Sequence, residues 1–352
     1  MAVRRDTDGM RTPSGGFDNH VNTRPIRISV LDRSALRGEE EPAAAIRATV
    51  DMARHAEILG FMRFWVAEHH SVPGIAGSAP TVLTSAVAAA TTSIRVGTGG
   101  IMLPNHNPLV VAEQIGTLDA LYPGRIDIGL GRSQGFTPAV RAALGSTGGP
   151  EDFAERLALL LGYLTGDQDT HPGVHARPGE GAAPCLAILA TGAGAEIAAQ
   201  LGLPLVLAPV SGLDAAASTI SAYRQEFTPS HWLRRPDVTI AVPVAVGETT
   251  EQARDLLISE AWSMVLSRTL GEFTALRSPE QVQAEPKTVR QHKLLDKSLA
   301  DSVYGTGEQV RAELARLIAV TNADELLVTT AAYDRPAQVS SWKRLAELVS
   351  TF

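Results

Sequence analysis

No disulfide can form within this chain, because its 352 residues include a single cysteine, Cys185. Disulfide-stapled secreted scaffolds are excluded, and a reducing cytoplasm suits the chain. Cys185 sits in an apolar run with Leu186, Ala187 and Ile188, where a packed, inert thiol is expected. Lysine is scarce as well: Lys287, Lys293, Lys297 and Lys343 stand against abundant arginine. With a formal net charge of −7, the chain has no excess of cations to hold nucleic acid or an anionic membrane. No apolar stretch is long enough to span a bilayer. Residues 1–24 are polar, broken by Gly-Gly and Pro, and lack the apolar centre of a signal peptide; they read as a disordered leader. Aromatic residues make up 5% of the chain and hydrophobic residues 44%, so aliphatic side chains must fill the core.

What the chain does have is regular alternation. Short β-branched runs at 26–31, 63–67, 94–99, 126–131, 185–190, 204–209, 238–245 and 325–330 read as strands. Ala-rich helical stretches lie near 42–59, 79–91, 108–121, 152–165, 194–201, 213–226, 249–266 and 336–350. Strand–helix pairs repeated eight times in this order predict an α/β fold, a closed (β/α)8 TIM barrel. Strand runs such as Leu186-Ala187-Ile188-Leu189-Ala190 are apolar on both faces, as strands covered on both sides should be. Two connections are too long for the ideal barrel: about 166–184, and the larger 267–322 before the eighth strand. Long connections in compact domains are commonly functional lids. Residues 25–352 therefore read as one barrel domain with two insertions.

Glu68-His69-His70 follows directly on the apolar strand Phe64-Trp65-Val66-Ala67. Parallel α/β enzymes present their chemistry at this carboxyl end of the sheet. Neighbours on an extended strand point to opposite faces, so His69 and His70 cannot both enter one site. A zinc site on a helix would need the spacing His-x-x-x-His, which adjacent His69 and His70 do not have, and no metal is expected. Further on come Val96-Gly97-Thr98-Gly99-Gly100 with Leu103-Pro104, then Gly124-Arg125 and Gly129-Leu130-Gly131-Arg132. Arg132 follows its strand and belongs at the same end as His69, whereas Arg125 precedes it and belongs at the opposite, stabilising end. After the fifth strand the text is Thr191-Gly192-Ala193-Gly194. This is no dinucleotide fingerprint, because Ile197 stands where the third glycine should be, and Gly129-Leu130-Gly131 fails through its own spacing.

This ordered set of motifs resembles the bacterial luciferase-like flavin monooxygenases, most closely a subgroup of actinobacterial oxygenases that tailor polyketides. The resemblance covers roughly residues 26–351 and is strongest over 60–135. It implies an enzyme that uses O2 and reduced FMN, supplied by a separate flavin reductase, to hydroxylate, epoxidise or Baeyer–Villiger oxidise a bulky organic substrate. His69 matches the family's catalytic histidine, and histidine titrates near neutrality as such a role requires. Glu68 would orient it or satisfy backbone donors at the barrel end. Gly99-Gly100 matches a cis peptide that supports the flavin face, and Arg132 would stabilise the reduced ring or bond its carbonyls. Thr191, Gly192 and Gly194 would meet the phosphate. Many relatives place serines there, and no arginine is near in sequence, so weak, substrate-like FMN binding is expected. Trp65, Met102 and Phe136, with Asn105 or His106, would line an apolar substrate pocket; ordinary packing is the alternative for each. The 267–322 insertion would cover the flavin. Helices 79–91 and 108–121 carry Ala86, Val87, Ala88, Val110, Val111 and Ala112, more apolar surface than an outer helix needs, which with the resemblance implies a homodimer. Two rivals remain open: a deazaflavin-dependent dehydrogenase on the same scaffold, and a flavin-binding protein without catalysis.

Overall fold

The structure, a computed structural model, describes residues 26–134, 137–145 and 149–350. The leader at 1–24 and Phe136 lie outside the described residues. The first half of the chain alternates β1 (Arg27–Asp32), α1 (Pro42–Ile58), β2 (Arg63–Val66), α2 (Pro80–Ala90), β3 (Arg95–Met102), α3 (Pro108–Leu121) and β4 (Ile126–Gly131). Proline opens each of these helices, at a position whose N–H has no helical partner anyway. A short α4 (Pro138–Ala143) precedes α5 (Phe153–Thr165), then β5 (Cys185–Ala190), α6 (Gly194–Gln200), β6 (Leu205–Leu207), α7 (Leu213–Glu226) and β7 (Val238–Val242). The last part holds β8 (Val244–Val246), α8 (Thr250–Leu270), α9 (Pro279–Ala284), α10 (Val289–Ala300), β9 (Val303–Gly305), α11 (Gly307–Thr321), β10 (Glu325–Val328) and α12 (Arg335–Val349).

Eight parallel strands close into a barrel in the order β1-β10-β7-β6-β5-β4-β3-β2. This is the (β/α)8 TIM barrel expected from the sequence. Outward residues such as Phe64, Val66, Val96 and Ile128 pack under the helices in one core. Leu31, Trp65, Ala67, Ala187, Val206 and Leu327 form a separate cluster inside the barrel. The two sets alternate along each strand, as period-two geometry demands.

The run at 238–245, expected as one strand, divides at Pro243. Val238–Val242 stays in the barrel, while Val244–Val246 pairs with Val303–Gly305 in a two-stranded parallel sheet. Proline has no N–H to continue the ladder, and the next amide, of Val244, donates to Thr330 Oγ1 at 2.8 Å. The helix expected at 249–266 also changes role. Helix α8 packs with α9 and α10 around Leu257, Trp262, Leu266, Val282 and Leu295, a small core of its own. Helix α11, from within the expected 267–322 insertion, lies against α7 and α12 as a barrel helix. Its buried Val310, Leu314 and Leu317 belong to the main core. Amphipathic spacing shows that both stretches are helical; it does not say which core each one faces.

Candidate active site

Arg63, Trp65, Ala67 and His69 share the inward side of β2 and its extension, so the parity that buries Trp65 in the barrel carries His69 to the mouth. There it lines a cavity of about 730 Å3 with Gly99, Gly100, Met102, Arg132, Thr191 and Gly194. Seven of the residues singled out from the sequence thus meet at one place, and Glu68 borders it too. Trp65 is a correction. It does not line the cavity but is 3% exposed beneath it, with Nε1 donating to Asp127 Oδ2 at 3.1 Å. A bulky ring on the inward side of a strand centre fills the barrel. Gly192 is not among the lining residues either, although its neighbours Thr191, Ala193 and Gly194 are.

Glu68 faces the other way. Its Oε1 is 2.7 Å from His70 Nε2 and 2.9 Å from His106 Nε2, and its Oε2 accepts the Met102 N–H at 3.0 Å. Burial opposes ionisation of this carboxylate, but hydrogen bonds from His106, Met102 and His70 outweigh it and hold the group below the usual carboxylate range. Its bonds fix the backbone at the end of β3 without reaching into the cavity. Glu68, His70 and His106 are also the described residues whose donor atoms, within 4.8 Å of one another, could hold a metal ion. Neither His106 nor Asn105 lines the cavity.

The strand that Glu68 holds carries the expected cis peptide, Gly99-Gly100. Pairing between β3 and β4 slips here, from Gly99↔Gly129 to Ile101↔Leu130. Gly100 is the extra residue of a bulge that turns the backbone toward the mouth. A Cβ on Gly100 would lie 2.7 Å from the Gly129 carbonyl oxygen, and one on Gly99 would lie 2.5 Å from Leu31 Cδ1. Only bare backbone fits, and a planar ring can approach it closely.

Arg132 ends β4 beside β5, where Gly131 is in register with Leu189. It therefore stands next to the Thr191 loop, although it is some sixty residues away in sequence. Arg132 has no hydrogen-bond or ion-pair partner among the described residues.

The roof was only half legible. Leu257, Ala261, Met264 and Arg268 of α8 line the cavity from above, with Lys297, Ser298, Asp301 and Ser302 at the end of α10. Helix α8 is strapped to the barrel rim through Glu260, which meets Arg33 at 2.5 Å and accepts the Ala331 N–H at 2.8 Å. Arg33 also donates to the Thr329 carbonyl at 2.9 Å. Under this roof, burial pushes the His69 imidazole down to about 4, helped by the charge of Arg33 and opposed by Glu68. At neutral pH His69 is therefore an uncharged base.

That depression has a measurable consequence for stability. Between about pH 6.5 and 4 the unfolded chain binds a proton at His69 that the folded chain refuses. The stabilisation is complete above 6.5 and is lost as pH falls through about 4. A loss on the order of 3 kcal/mol corresponds to a shift of this size. His69→Asn should flatten the acid limb of urea-denaturation stability against pH. An unchanged limb would show that His69 titrates normally.

A closed (β/α)8 barrel, with an uncharged imidazole and a guanidinium without a partner among the described residues at a roofed carboxyl-end cavity, has the architecture of barrel enzymes that react small molecules away from water. The chain belongs to the luciferase-like monooxygenase family, which it matches over residues 26–324. It is 35% identical to the uncharacterised protein YvbT of Bacillus subtilis over 323 residues, covering 91% of this chain and 96% of that one. It is 31% identical to the N-acetyl-S-alkylcysteine monooxygenase of the same organism over 332 residues, 92% and 98% of the two chains. The crystal structure of apo-MsnO8 superposes with a TM-score of 0.82 at 30% identity, covering 93% of this chain and 98% of that one.

Proposed function

We propose that this chain is the oxygenating half of a two-component monooxygenase, which takes reduced FMN from a separate reductase and oxygenates a bulky organic substrate with O2. The observation that carries the reading is the convergence of His69, the bare Gly99-Gly100 backbone and Arg132 on one roofed cavity. These residues fit a flavin: Gly99-Gly100 admits the ring, and Arg132, expected at the ring, stands beside the Thr191–Gly194 loop, where it would take the phosphate instead. When bound, the reduced flavin supplies the electrons that activate O2. His69, uncharged and facing the cavity, accepts or returns a proton there. Glu68 positions the β3 end, and α8 with α10 excludes water. The missing nucleotide fingerprint supports a separate reductase. A polyketide substrate is in keeping with the likeness to MsnO8, and a thioether such as the B. subtilis relative's is the competing class.

An oxygen electrode tests the reading. The purified chain should consume O2 when reduced FMN and substrate are supplied, and should not oxidise NADH alone. O2-independent turnover with reduced deazaflavin would install the dehydrogenase instead, and flavin binding without turnover would leave a binding protein.

The homodimer belongs to this proposal as well. Val87, Ala88, Val111 and Ala112 are buried within the chain itself, so they give no support to an interface. Val82 at 70% exposed and Val110 at 47% remain outside, beside exposed Ala86, and are the residues a second subunit would cover. Light scattering should give twice the chain mass, and Val82→Glu should shift it to the monomer; a monomeric wild type would end the idea.

A further inference from the structure

The chain is acidic overall, yet its cavity is not. Of the charged groups that line it, Arg33 is matched by Glu260 at 2.5 Å and Lys297 by Asp301 at 2.9 Å. The carboxylate of Glu68 is engaged by His70, His106 and the Met102 amide. Arg132 and Arg268 are left, and neither has an ion-pair or hydrogen-bond partner among the described residues. Arg132 is half-buried and Arg268 exposed at the cavity's edge, and two guanidiniums left without partners at one cavity attract anions. Resting on the reading above, the flavin phosphate accounts for Arg132 and leaves Arg268 without a counter-charge.

Arg268 is carried by the roof. Leu257, Ala261, Met264 and Arg268 recur at the spacing that puts side chains on one face of a helix, and all four face the cavity. Leu257, Ala261 and Met264 make that face apolar beside Glu260, whose carboxylate is held by Arg33, and it ends in a cation. Met264 is 40% exposed, an unbranched, adaptable side chain offered to the cavity. We propose that the substrate is an amphipathic carboxylate, with its apolar body against Leu257, Ala261 and Met264 and its carboxylate on Arg268. Arg33 could take that role only by giving up Glu260 and the Thr329 carbonyl, and Lys297 lies on the exposed side of α10, where it pairs with Asp301. Arg268 thereby fixes which end of the substrate points away from His69, and so which atom is presented for oxygenation.

Calorimetry on the full chain at low salt, with octanoate, 1-octanol and octylammonium as probes, tests this directly. Octanoate should bind about tenfold more tightly than octanol, the increment of one charge-assisted contact, and octylammonium more weakly than either. Arg268→Gln should bring octanoate down to the level of octanol, leave octanol and FMN binding unchanged, and keep the melting temperature. Arg132→Gln should do the reverse, weakening FMN at least about tenfold while octanoate keeps its advantage. Equal binding of octanoate and octanol to the wild type, binding of neither, or an advantage that survives Arg268→Gln would overturn the proposal. So would loss of FMN rather than octanoate in Arg268→Gln, which would assign that arginine to the phosphate. If octanoate behaves as stated but the wild type binds no FMN, the flavin reading falls and the anion site stands.

Discussion

Asp127→Ala should cost about 3–5 kcal/mol of folding stability, read as a large fall in the urea midpoint. Asp127 is fully buried in the barrel floor. Its Oδ1 takes Arg95 Nη2 at 2.5 Å and Nε at 2.9 Å, and its Oδ2 takes Arg63 Nη1 at 2.8 Å and Trp65 Nε1 at 3.1 Å. Among the described residues, alanine would strip the only carboxylate that pairs with Arg95 and one of the two that pair with Arg63. Burial opposes the charge on Arg63, but Glu325 and Asp127 more than restore it, and its pKa stands above the usual guanidinium range. Cys185 shares the floor, its thiol pushed up to about 11 by burial and by Asp127, so it is protonated and unreactive. The exposed pair of Arg54 with Asp51, also at 2.5 Å, is the control: Asp51→Ala should change stability by less than about 1 kcal/mol. Similar losses from the two variants would mean that the floor network holds nothing together.

His69→Ala should leave the fold intact and cut product formation at least about tenfold, as loss of a proton-transferring group does. Because His69 is an uncharged base with a pKa of about 4, the wild-type rate should not fall between pH 8 and 6 through titration of this group. His70→Ala and His106→Ala should cost less, since both touch Glu68 and neither lines the cavity. Their effect should appear in flavin affinity, through the β3 end that Glu68 holds. Full activity in His69→Ala would remove it from the mechanism, and a larger loss in His70→Ala would exchange the two roles.

The barrel was legible because its strands are apolar on both faces and its helices are Ala-rich, so the order of elements alone fixes the topology. Strand parity foretold that only one of His69 and His70 enters the mouth. The same parity, carried down to Arg63, Arg95, Asp127 and Glu325, marks charges on the inward side and would have revealed the floor network. Neighbouring strands also place Arg132 beside the Thr191 loop, a contact hidden when the loop is read only with its own flanking sequence. The roof was harder to read. Helix α8 looks like any barrel helix by pattern, and its departure rests on where Pro243 ends β7 and on the small core it shares with α10. Trp65 is ambiguous in sequence because an inward aromatic near the mouth reads the same whether it fills the barrel or faces a ligand.

The floor also bears on how the chain is made. Arg63 waits for Glu325, 262 residues later in sequence, and β1 has no second neighbour until β10 arrives. At ribosomal rates of about 5–20 residues per second, that interval lasts tens of seconds. Throughout it, the growing chain keeps an open sheet edge at β1, and Arg63 has Asp127, 64 residues on, without Glu325. An open edge of this kind is a template for pairing with other chains, and it closes only when Glu325–Val328 joins β1 to β7.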